Sequence, residues 1–181
     1  MRDICIAPVN FSNKELLQRV LGELKKILLV DIKIVDLNLD LKKAYSSDRR
    51  QYYSTQIIAD ALTHTDHLQG KVVILVDFDL YIPVFTYVFG EAQLNGKHSI
   101  VSLCRLHEEF YTGRTDDELL FERTIKEILH ELGHNFGLLH CSNWECVMHA
   151  SAEIEEVDIK GRVYCENCRR TLQSVFNFRR N

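Results

Sequence analysis

The chain has 181 residues, 26 of them acidic against 22 basic for a net charge of −4, with 46% hydrophobic and 27% charged side chains and only two prolines and eight glycines. That composition excludes a disordered or fibrous chain. The mixed charges form no basic stripe, so neither nucleic acid nor an anionic membrane is expected as a partner. The length suits one domain, residues 1–181, with a core that needs no disulfides.

The opening "MRDICIAPVNFSNKE" has too short and too interrupted an apolar run for a secretory signal or a membrane span, which sets the expectation of a cytoplasmic protein. Ile4, Ile6 and Val9 read as a first strand. Ser12 to Glu15 reads as a capping box, and Leu16, Leu17, Val20, Leu21, Leu24, Ile27 and Leu28 follow at helical spacing. "VDIKIVDLNLD" from Val30 alternates as a second strand, and a second helix is expected over Arg49 to His64, with Ile57, Ile58, Ala61 and Leu62 on one side. Lys71 to Leu80 reads as a central strand and His98 to Leu106 as another. Between them Gly90 and an Asn-Gly turn suggest an edge strand followed by a loop. Thr115 to Glu118 then caps a helix whose apolar face runs through Leu119, Leu120, Ile125, Ile128, Leu129 and Leu132. The order β-α-β-α-β-β-β-α predicts an α/β (α+β) fold: a mixed twisted sheet with helices as an upper lobe to about 137, including this last helix, and a small irregular lower lobe over about 138–181. "CENCRRTLQSVFNF" would close the chain as a helix, with Leu172, Val175 and Phe176 packed inward.

The chemistry concentrates in "HELGHNFGLLHC", His130 to Cys141, which holds three of the eight histidines. His130 and His134, four apart on a helix, lie about 40° apart around the axis and roughly 6 Å along it, so both can reach one ion. Gly137 can take a positive φ and end the helix, letting His140 return as a third ligand. Three neutral imidazoles with an open fourth position suit catalytic zinc. Glu131, beside the first histidine, is the natural general base for water at that position. A lone helical histidine or glutamate is ordinarily a surface residue, and the joint spacing is what points to metal. His64, His67, His98, His107 and His149 lack such spacing.

Cys141 and Cys146 form C-x4-C, and Cys165 and Cys168 form C-x2-C. Two such pairs suit a closed tetrahedral zinc that contributes to folding, so two zinc ions per chain are expected, one catalytic and one structural. Arg162, Arg169 and Arg170 could offset the thiolate charge. Cys5 and Cys104, among strand residues, read as small core hydrophobes.

"HELGHNFGLLHC", "SNWECVM" and "CENC" together resemble the archaemetzincins, a metzincin branch of zinc peptidases. The resemblance implies a metzincin-like fold in which His130, His134 and His140 hold the catalytic zinc, Glu131 is the general acid/base and Met148 forms the Met-turn floor. Astacin-like metzincins carry a tyrosine two residues after this methionine; here Ala150 stands there, so a tyrosine ligand from that position is excluded. The resemblance also implies an edge strand that aligns peptides by strand addition, for which Phe85 to Gln93 is the candidate.

The expected function is zinc-dependent hydrolysis of a peptide or protein substrate. Two rivals stand beside it: a latent or non-catalytic zinc protein that only binds peptides, and a thiol redox protein built on Cys165 and Cys168. Substrate, cleavage position and oligomeric state are not fixed by the sequence.

Overall fold

The computed structural model describes residues 3–173 and 176. β1 (Ile4–Val9) leads into α1 (Lys14–Leu28), β2 (Ile32–Ile34), β3 (Tyr45–Ser46), β4 (Gln51–Tyr53), α2 (Ser54–His64), β5 (Lys71–Val76), β6 (Leu80–Tyr81), β7 (Gly90–Ala92) and β8 (His98–Ser102). The helices α3 (Glu109–Thr112), α4 (Asp117–Asn135), α5 (Ile154–Ile159) and α6 (Glu166–Leu172) complete the order. The main sheet runs β2-β1-β5-β8-β7, with β7 as its antiparallel edge. β5 is central, as its unbroken apolar run predicts.

Both faces of that sheet are covered, which is why its strands read as nearly continuous hydrophobic runs. Ile4, Ile6, Val73 and Leu75 pack with α1 and α4, while Cys5, Ala7, Val72, Ile74 and Val76 face α2. The first core continues without a break into the C-terminal region through Val147, Met148, Val157, Tyr164 and Leu172.

Several boundaries differ from expectation. Asn13 caps α1, accepting from Leu16 N–H at 2.9 Å, one residue beyond the Ser12 box. The second strand is only three residues long. The expected helix from Arg49 begins at Ser54 instead, because Arg50 takes a φ of +55° and the residues around it form a turn between β3 and β4. Tyr52 packs on Tyr45 and Phe78, with ring centroids 5.0 and 4.2 Å apart, so tertiary packing holds this stretch extended. Leu62 is turned outward. β6 joins β3 and β4 in a second, three-stranded sheet, so the expected strand over Lys71 to Leu80 is shared between two sheets. Cys104 is half-buried in the turn after β8 and lies outside both cores. α5 was not expected. The closing helix ends at Leu172; Leu172 and Phe176 are buried, and the expected role of Val175 falls outside the described residues.

Candidate active site and metal centres

Asp116 caps α4 by accepting from Leu119 N–H at 2.9 Å, and Asp117 and Glu118 complement the helix dipole in its first turn. The helix stays regular to Asn135 and carries His130 and His134 on one face. Its end is a Schellman motif: Leu138 N–H donates to Gly133 O and Gly137 N–H to His134 O, both at 2.9 Å, with Gly137 at φ +91°. The reversal returns His140 to the other two, with ring centroids 5.3 and 4.9 Å from His130 and His134. One nitrogen from each of the three lies within 4.8 Å of the others.

The hydrogen bonds fix how the first two rings present themselves. His130 Nδ1 donates to Val147 O and His134 Nδ1 to Leu138 O, each at 2.8 Å. With the proton on Nδ1 in both rings, neither Nε2 carries one. Yet the two Nε2 atoms are 3.1 Å apart, lone pair facing lone pair. That juxtaposition is unfavourable without a cation between them, and it is the ligand tautomer a metal requires. Burial lowers the pKa of His130 well below the ordinary histidine value and also lowers those of His134 and His140, so all three are neutral donors at neutral pH. The donor set fits zinc.

Glu131 is 5% exposed. Burial, together with the charges of Glu127 and Glu91, holds its carboxyl well above the usual range, and the Lys160 ammonium opposes the shift. The side chain opens into a cleft of about 620 Å³ lined by the three histidines, by the 85–92 segment on one side and by Ala150, Ser151 and Ala152 on the other. β7 borders this cleft. Its bonds to β8 use Phe89 and Gln93 at either end, so the alternation of an antiparallel pair turns the N–H and C=O groups of Gly90 and Ala92 away from the sheet. The expected edge strand is therefore present but shorter, with Phe89 in the core and Phe85 on the surface.

Met148 is fully buried against Gly133, where an added Cβ would lie 2.2 Å from its Sδ. The tight turn around it also supplies the Val147 carbonyl that orients His130. Met148 O in turn accepts from Cys141 N–H at 2.9 Å, tying the histidine site to the cysteines. Cys141 Sγ is 3.8 Å from Cys165 Sγ, and Cys146 Sγ is 3.8 Å from Cys168 Sγ. These spacings are far too long for disulfides at about 2.05 Å. They match the edge of a tetrahedron with S–Zn distances of ~2.3 Å, about 3.8 Å. Of the three arginines expected near the thiolates, Arg162 is engaged by Glu122 and Glu23, and Arg170 by Glu166.

Among the described residues these are the two groups of clustered donors that could hold a metal. Three of the other five histidines have partners of their own: His98 is buried near Thr65 and Gln93, His107 pairs with Asp77, and His149 stacks on Trp144. Sequence reasoning missed Glu127 and Lys160, which line the cleft as a buried pair with N and O 2.7 Å apart. Glu127 stands one turn before Glu131, a spacing that could have signalled a shared face; Lys160, in a polar stretch, carried no signal.

The family model of peptidase family M54 matches residues 14–174. The chain belongs to peptidase family M54. Archaemetzincins from Pyrococcus horikoshii and Methanocaldococcus jannaschii are 38% and 37% identical to it, covering 87% and 94% of this chain and 85% and 92% of their own lengths. The crystal structure of the Methanopyrus kandleri archaemetzincin superposes with a TM-score of 0.82 at 32% identity, over 95% of this chain and 93% of that one. This M54 member is accordingly a zinc metallopeptidase of archaemetzincin fold, acting on peptides or proteins. None of the helices is long and apolar enough to cross a membrane, among the described residues.

Proposed function

We propose that His130, His134 and His140 hold one zinc, that Glu131 is the general base of peptide-bond hydrolysis, and that Cys141, Cys146, Cys165 and Cys168 hold a second, structural zinc. The observation that carries this reading is the pair of unprotonated Nε2 atoms 3.1 Å apart, with Glu131 beside them in an open cleft. Zinc in such a site supplies polarisation of the scissile carbonyl and acidifies a water. Glu131 accepts the proton of the attacking water and delivers it to the leaving nitrogen, so no covalent intermediate with the protein is needed. Met148 and Gly133 floor the site, and the outward amides of Gly90 and Ala92 receive the substrate as an added strand.

The chain then acts as one catalytic domain, an upper lobe to about residue 137 and a lower lobe from about 138, with the cleft between them. Exposure of His140 supports an accessible site over a latent one. A reducing, cytoplasmic setting suits six cysteines without a disulfide.

Metal analysis should find two zinc per chain. Glu131→Ala should keep both while cleavage of a peptide library falls by about 10²- to 10⁴-fold. Undiminished turnover in that variant removes Glu131 from the mechanism, and a single zinc removes one of the two sites.

A further inference from the structure

Gly90 stands in an ordinary strand, with no positive φ to require glycine. Glycine weakens a strand interior, and it is retained where something approaches the backbone closely. A Cβ built on Gly90 shows what that is: its three nearest atoms all belong to Glu131, with Oε1 at 2.6 Å, Cγ at 2.8 Å and Cδ at 2.9 Å. Ordinary contact begins near 3.4 Å, so even a methyl group at this position competes with the carboxylate for the same space.

Glu131 has little else to hold it. Among the described residues no hydrogen bond is recorded to its carboxylate, although the residue is 5% exposed. The strand, in contrast, is well anchored to α4. Asn135 Nδ2 donates to Gln93 O and His98 O at 3.2 and 2.8 Å, and Asn95 N–H donates to His134 O at 2.8 Å, so the β7–β8 turn is clamped to the helix that carries Glu131.

We propose that Gly90 is a positioning residue for Glu131: the bare backbone of the edge strand is the wall against which the general base is aligned. The inference rests on Glu131 being the base. It also ties the two halves of the reaction together, since the same residue turns its N–H and C=O toward the cleft. A peptide docked on β7 is held by the residue that seats the base, so substrate register and proton transfer share one reference point.

The test is Gly90→Ala. The native backbone suits alanine and the close contact falls on a side chain rather than on backbone, so the variant should fold, with its zinc content unaltered. Its crystal structure should show the Glu131 carboxylate displaced by about 1 Å, the distance from the present contact to an ordinary one. A misplacement of that size should lower kcat by about a hundredfold while KM stays near its original value. Glu131→Asp, whose shorter side chain withdraws from the added methyl, should cost less in the Gly90→Ala background than in the parent. A carboxylate found in its native place, a loss confined to KM, or losses that simply multiply in the double variant would each overturn the proposal. If the parent protein cleaves no peptide, the hydrolytic reading fails, and the crystal structure of Gly90→Ala still decides whether Gly90 seats Glu131.

Discussion

Two donor clusters lie side by side in this fold, and they differ in what surrounds the donors. The thiols come as four, two from each end of one segment, with Cys146 fully buried and two Sγ–Sγ spacings of 3.8 Å that match edges of a zinc–thiolate tetrahedron. The imidazoles come as three, with His140 exposed, a buried carboxylate beside them and a cleft of about 620 Å³ in front. A fourth protein ligand leaves no position for chemistry; its absence, with a base at hand, creates one. The number of ligands and the company they keep separate a staple from a reaction centre, although both suit the same metal.

The sharpest way to break this comparison is to remove one ligand from each cluster. Structural zinc contributes about 10–16 kcal/mol of apparent binding free energy, as much as or more than the whole stability of a domain. If the four cysteines hold zinc as proposed, Cys146→Ala should lose the fold around them at 25 °C even in excess zinc, seen as rapid proteolysis after about residue 137 and a broad thermal transition. His140→Ala should keep its circular dichroism and lose turnover. A cooperative, native-like transition in Cys146→Ala would show that the cysteines staple nothing.

The contrast also explains what the sequence made legible. The two donor clusters were readable because their members fall at spacings set by helix pitch and chain reversal: His130 to His134, Gly137 as the turn, and the two cysteine pairs. Main-sheet strands were readable because burial on both faces makes them unbroken apolar runs, and the inner face of α1 because its burial follows the helical period. Reading failed where partners distant in sequence decide. Tyr52 is extended because of Tyr45 and Phe78, not because of its neighbours. Arg123, Lys126 and Glu127 on α4, to which sequence reasoning gave no role, are all buried by the 157–160 segment: Arg123 forks onto Asp158 at 2.7 Å, and Lys126 donates to Val157 O and Asp158 O at 2.9 Å. Gly90 carried the cue of glycine in a strand, but the atom it makes room for is forty-one residues away.

Lys160 and Glu127 sharpen the comparison by asking whether a buried charge near the histidines belongs to the chemistry or to the fold. They are 1% and 3% exposed, and their ammonium and carboxylate stand 2.7 Å apart without good hydrogen-bond alignment. Lys160→Met strands Glu127 in the interior and should destabilise by about 3–5 kcal/mol, while pairing it with Glu127→Gln should recover most of that loss. Urea titration of the two variants checks this. A stable Lys160→Met protein with impaired turnover would move the pair from the fold to the active site.

The smallest expected effect isolates a histidine that is as buried as His130 but belongs to no donor set. His98 is 1% exposed, with Nε2 2.6 Å from Thr65 Oγ1 and Nδ1 3.3 Å from Gln93 Oε1, so both of its nitrogens are already engaged. Burial, and then the neighbouring Lys97 ammonium, lowers its pKa to about 4, against an opposing pull from Asp66. Because the folded-state value lies below that of the unfolded chain, the unfolded state binds the extra proton as pH falls. The stabilising effect is whole above about pH 6.5 and is lost progressively toward pH 4, by on the order of 3 kcal/mol in all. Acid also protonates the imidazoles and thiolates proposed to hold zinc, so the pH profile of the parent protein mixes these effects. The difference between the parent and His98→Gln, measured by denaturant titration at each pH, cancels the shared metal loss. That difference should shrink from pH 7 to pH 4. A constant gap would mean that His98 takes up its proton equally readily in the folded and unfolded chains, and burial in this sheet would then be no barrier to charge.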